Sequence, residues 1–165
     1  MRAVSWLATG GAVLAMGACG GHDGGLDAAS ARDGSVGAAV ELGTGLEAFE
    51  TVPVRGGELE LVHGPQGGWH VYVSVRVRGL VPSELVYDVT RDDGVVLAHV
   101  PITVREGTFV SRDEWLERVG DLAIFAIASP DEVVGRDVHA SVVVIASDGR
   151  RFGAALDARV VDRTP

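Results

Sequence analysis

Five histidines, a single cysteine and a scatter of carboxylates are the side chains of this 165-residue sequence with chemistry to offer. His63 and His70 bracket the run Gly64-Pro65-Gln66-Gly67-Gly68, and with His99 and His139 they form a candidate ligand set for copper or zinc, since imidazole nitrogen suits both ions. A shared site requires the rings to converge. Along an extended chain His63 has the parity of Leu59 and Leu61, whereas His70 opposes Trp69 and Val71. A hairpin pairing His63 with Trp69 sets Leu61 beside Val71 and Leu59 beside Val73, turns His63 to the rim of the core and sends His70 outward. If the loop instead crosses between sheets, the apolar faces meet through the core and the histidines still diverge, so a metal site needs a bulge to reverse one parity.

Other chemistries have less to stand on. The sequence has no Gly-x-Ser-x-Gly elbow, no His-Glu-x-x-His and no phosphate loop, so it offers no catalytic residue and implies no cofactor. Asp92, Asp93, Asp131, Glu132 and Asp137 match no calcium-loop spacing and read as turn and solvated residues. A formal charge of −9 excludes a non-specific nucleic-acid binder, which holds its partner by neutralising phosphates. Arg76 and Arg78 share one side of a strand and form a candidate face for an envelope protein or a cell-wall component.

The elements that must position these residues are strands. In "WHVYVSVRVRGL" strict alternation from Trp69 to Val77 marks a half-buried strand. In "SELVYDVTRDDGVVLAHVPITV" the Asp93-Gly94 pair predicts a two-residue type I′ turn, with Val89 opposite Ala98, Tyr87 opposite Val100, Leu85 opposite Ile102, and Asp88 beside His99 on the other face. A similar turn at Asp148-Gly149 predicts Val143 beside Ala154 and Ile145 beside Phe152. "LAIFAIAS" is apolar throughout and reads as a buried strand. One helix of about two turns is expected in "VSRDEWLERVG", where Ser111 and Glu114 have capping-box spacing, Val110 and Trp115 suit a hydrophobic staple, and Gly120 can end it. Some eight strands with one short helix predict an all-β, immunoglobulin-like β-sandwich, with a small barrel as the alternative closure.

The N-terminus has its own logic. "MRAVSWLATGGAVLAMGAC" carries one positive charge, an apolar run too short to span a bilayer, and small residues before Cys19. "MGAC" resembles the lipobox of bacterial lipoproteins, with Met16 in place of the usual Leu; the resemblance implies acylation of Cys19 and a membrane partner reached through that anchor. Residues 20–40 are rich in Gly, Asp and Ala and read as a tether. The expected organisation is a signal peptide over 1–18, the acylated cysteine and tether over 19–40, and a sandwich domain over 41–165. "ELGTG", "GPQGGWHV" and "SVRVRGL" together resemble uncharacterised predicted lipoproteins of GC-rich Gram-negative bacteria. That resemblance implies an exported β-sandwich without an assigned activity. Gly20 after the cysteine is, by analogy with lipoprotein sorting, compatible with the outer membrane.

Overall fold

A computed structural model describes residues 37–163, so the signal peptide, Cys19 and most of the tether lie outside the described residues. Among the described residues eleven strands form two facing sheets, the expected immunoglobulin-like β-sandwich, and one 3₁₀ turn lies outside them. The first sheet contains β1 (Ala39–Thr44), β2 (Glu50–Thr51), β4 (Val62–His63), β5 (Trp69–Arg78), β8 (Val110–Arg112) and β9 (Trp115–Phe125), in the order β2-β1-β5-β9-β8 with β4 beside β5. The second contains β3 (Arg55–Glu60), β6 (Pro82–Arg91), β7 (Val96–Thr103), β10 (Asp137–Ala146) and β11 (Arg151–Val161), in the order β3-β11-β10-β6-β7. Ala39 and Val40, read from sequence as the end of the tether, already pair with Arg78 and Val77.

The core lies where alternation places it. Val71, Val73, Val75 and Val77 of β5 face Leu85, Tyr87 and Val89 of β6 and Val138, Ala140, Val142 and Val144 of β10, all essentially removed from water. Burial at this density is the main force holding two such sheets together. The segment before the first histidine serves both sheets. Its β3 half pairs in parallel with β11, Leu61 N–H donates to Val161 O, and the chain then crosses over to pair Val62 with His70 and His63 with Trp69. The predicted hairpin therefore forms for two residue pairs only. Leu59 belongs to the second sheet and does not lie beside Val73.

The β6–β7 register is as the hydrophobic pattern predicts, from Leu85 opposite Ile102 to Val89 opposite Ala98. The turn is different. Gly94 alone takes positive φ, at 88°, while Gly94 N–H donates to Arg91 O and Arg91 N–H to Val95 O, each at 2.8 Å. This is a three-residue loop with a glycine bulge, not a type I′ turn. Asp93 accounts for the choice: its Oδ1 accepts from Val95 N–H two residues on, which favours negative φ at the aspartate and left-handed backbone at the glycine. A second bulge at Leu97 restores the register, and its carbonyl accepts from Ala126 N–H.

The loop between β10 and β11 uses the same device, with Asp148 Oδ1 accepting from Arg150 N–H and Gly149 at φ 83°. No second bulge compensates there. Val144 faces Phe152 and Val142 faces Ala154, one residue away from the predicted pairing, so Val142 and Val144 fill the core and Val143 and Ile145 face out.

The predicted helix over 111–119 does not form. Residues 110–112 and 115–117 pair as the β8–β9 hairpin, with Asp113 at φ 53° in the turn, and β9 continues along the whole of β5. A two-turn helix has too few internal bonds to compete with so long a ladder. The capping box appears instead eighteen residues later, at Ser129 and Glu132 around the 3₁₀ turn Pro130–Glu132. Both segments read Ser-x-x-Glu; the second has Pro130 at its first helical position and no strand to join.

Candidate functional site

The outer face of the first sheet is where the sequence and the structure diverge most. His70 points away from the core, as parity requires, yet it is only 7% exposed. The turn over 64–68 folds back across it, and a Cβ placed on Gly64 would lie 3.5 Å from both imidazole Cε1 and Nδ1. Tyr72 meets the ring edge-on at 5.2 Å. Among the described residues Nε2 is buried without a hydrogen-bond partner, and burial lowers the imidazole's pKa from its usual value, which favours the neutral ring.

Beside His70, β9 presents Ile124 and Leu122, paired across from His70 and Tyr72. They are 59% and 42% exposed, although "LAIFAIAS" was expected to be buried throughout; only Ala123 and Phe125 of this strand end face the core. Gly64, Pro65, Gln66, Gly68, His70, Leu122 and Ile124 enclose an open hollow of about 430 Å³ with no charged side chain in its lining. β8 pairs with β9 only as far as Glu117, so among the described residues no strand is laddered to the outer edge of the remainder.

The other candidate ligands do not join His70. His63 sits at the rim, exposed and tilted against Trp69 with ring centroids 4.5 Å apart. On the outer face of the second sheet, His99 Nδ1 contacts Asp88 Oδ1 at 2.6 Å, the predicted cross-strand pair, and His139 Nδ1 contacts Asp157 Oδ1 at 2.8 Å. Among the described residues no group of three or more His, Cys, Asp or Glu gathers to hold an ion.

Arg76 and Arg78 are engaged within the sheet. Arg76 donates through Nε and Nη2 to Glu41 Oε2 at 2.9 and 2.7 Å, and its guanidinium lies 4.6 Å from the ring centres of both Phe49 and Trp115. Arg78 lies 4.9 Å from the same indole and 3.0 Å from Glu114. Phe49 reaches this column by lying over Gly43, where any side chain would collide with its ring. Planar guanidinium groups stack well on aromatic faces, so these arginines hold β1, β5 and β9 together.

A polar cluster that sequence reasoning missed lies inside the sandwich. Tyr87 donates to Asp121 Oδ2 at 3.0 Å, and Arg118 donates to the same carboxylate at 2.7 and 2.6 Å. Asp121 points inward because a bulge between Val73 and Val75 reverses the parity of β9. Ser74 braces that bulge, donating to Gly45 O and accepting from Gly120 N–H.

No known family model matches the chain, and no curated protein does. Among solved structures, the crystal structure of CopC from Methylosinus trichosporium OB3b aligns at 14% identity over 64% of this chain and 85% of that one. Its TM-score of 0.34 is too slight a likeness to bear on function.

Proposed function

We propose that this protein is a non-catalytic binding module of the cell envelope, anchored through an acylated Cys19 and meeting its partner with the ledge that Leu122 and Ile124 form beside His70. The observation that carries the reading is the exposure of these two large apolar side chains around an uncharged hollow, on a strand whose outer edge is unladdered among the described residues. Exposed apolar surface of this kind is costly to leave in water and marks contact sites. Strand edges recognise extended chains through their backbone groups. The anchor rests on the lipobox resemblance of "MGAC", and Gly20 suits the outer membrane.

The test is made in the full chain, expressed in a Gram-negative host. Labelled palmitate incorporates into the wild type and not into Cys19→Ser; absence of label from the wild type removes the anchor. A photo-crosslinking residue at position 122 gives a discrete envelope adduct, whereas the same residue at position 143, on the opposite outer face, gives none. Equal adducts from both positions would remove the assignment of the binding face.

A further inference from the structure

The unladdered edge of β9 is bounded at both ends. Ala126 N–H leaves the strand sideways to reach Leu97 O, and backbone groups alternate between the two edges of a strand. The N–H and C=O groups of Leu122 and Ile124 therefore point to that same edge, away from β5. Among the described residues no strand pairs with it beyond Glu117. The bulge opposite Ser74 closes the regular stretch at one end and the Ala126 bond closes it at the other, which leaves residues 121–125 with Ala123 at their centre.

The other sheet edges are guarded. β2 and β8 run for two and three residues, β7 carries Pro101, and β3 carries exposed Arg55, Glu58 and Glu60. Short strands, proline and charge are the ordinary means by which an edge avoids pairing. Residues 121–125 lack them. Asp121 is turned inward to Tyr87 and Arg118, and the side chains standing beside the edge are the exposed Leu122 and Ile124.

We infer that this edge pairs with the same edge of a second copy of the chain, antiparallel about a two-fold axis at Ala123. The inference rests on the proposed binding role of the ledge and names its partner. The register follows from the groups that need bonds. With Leu122 opposite Ile124 of the second copy, each pair exchanges both N–H···O bonds and the two-fold repeats the pair, so every outward N–H and C=O of the two residues is satisfied. A shift of two residues sets Leu122 or Ile124 against itself. The other residue then faces Gly120, which lies in the bulge at φ 75°, or Ala126, whose N–H is already taken. The favoured register also lays Leu122 against Ile124 on one continuous outer face and opposes no like charges. An edge that is its own complement makes an interface that closes on itself.

The test uses the full chain carrying Cys19→Ser, so that an introduced thiol is the only one, made as Leu122→Cys and as Ile124→Cys. Cα atoms of a hydrogen-bonded pair lie about 5.5 Å apart, within the span of a disulfide, whereas diagonal neighbours lie about 7–8 Å apart and beyond it. Mild oxidation is carried out in about 0.15 M salt, which screens the net charges of the two copies. The two variants mixed are expected to give about tenfold more disulfide-linked dimer than either alone. Sedimentation of the unlinked parent shows a monomer–dimer equilibrium, which Ile124→Lys, at an exposed position, abolishes. Self-linking of either variant as readily as the mixture, a parent that stays monomeric, or a dimer that survives Ile124→Lys overturns the pairing. The binding role of the ledge is judged separately: a monomeric parent whose photo-crosslinker at position 122 captures a different envelope protein overturns the second copy and keeps the ledge. Equal capture from positions 122 and 143 removes both.

Discussion

Tyr87 donates its phenolic hydrogen to Asp121 across the inside of the sandwich, tying β6 of one sheet to β9 of the other. The carboxylate also receives Arg118 through two nitrogens, and the side chains of Asp121 and Arg118 are 10% and 20% exposed. Three polar groups thus satisfy one another near the core, which is the condition under which burying them is tolerable. Tyr87→Phe removes one neutral donor and is expected to cost about 1 kcal/mol. Asp121→Ala strands the guanidinium and costs about 2–3 kcal/mol, the residual exposure of Arg118 keeping it below the loss for a fully buried pair. Urea unfolding of the two variants checks both the order and the gap.

The same contact sets an alkaline limit. Burial, then the charge and hydrogen bond of Asp121, raise the Tyr87 pKa well above its ordinary 10.0, partly offset by Arg118. The folded protein therefore keeps a proton that the unfolded chain gives up. Stability is fully present below pH 10 and is lost as the pH rises beyond it. Denaturation midpoints between pH 8 and 11 should fall in the wild type and fall less in Tyr87→Phe.

His70 sets the opposite limit. Burial depresses its pKa below the usual 6.5, so the unfolded chain binds a proton that the folded one refuses. Stability is undiminished above pH 6.5 and declines as acid is added through and below that value. The turn over 64–68 should loosen in the same range, since a charged imidazole requires water that the turn excludes. Hydrogen exchange at Gly64 and Gly67, whose N–H groups donate to Gly68 O and Gly64 O, reports it between pH 7.5 and 5; unchanged protection in both the turn and the global midpoint would contradict the burial assigned to His70.

At Gly149 the backbone has φ of 83° and nothing stands within 4 Å of where a side chain would go. Gly149→Ala is thus a conformational cost alone, about 1–2 kcal/mol, while Gly149→Asn, which tolerates left-handed backbone better, costs less. Thermal midpoints of the pair check the order of the two costs.

Arg76→Lys keeps the charge near Glu41 and loses the flat cation between Phe49 and Trp115. About 1 kcal/mol of stability should go with it, accompanied by a shift in tryptophan emission. A variant as stable as the wild type would return Arg76 to the role of a free binding group.

How much of this was legible in the sequence depended on distance along the chain. Period-two alternation identified β5, and the pairing of Leu85, Tyr87 and Val89 with Ile102, Val100 and Ala98 followed because hydrophobic faces must match across a hairpin. His63 opposite Trp69 followed for the same reason. The all-β class was equally local, since β-branched residues and tight turns recur throughout the sequence. What only the tertiary structure decided were the places where a distant partner overrode a local preference. Residues 111–119 carry helix signals, but β5 offers a ladder for all of β9. Asp121 turned inward, and Leu122 and Ile124 outward, through one bulge opposite Ser74. His70 has the outward parity expected from alternation and is buried nonetheless, because parity fixes the face of a sheet and not what folds over that face.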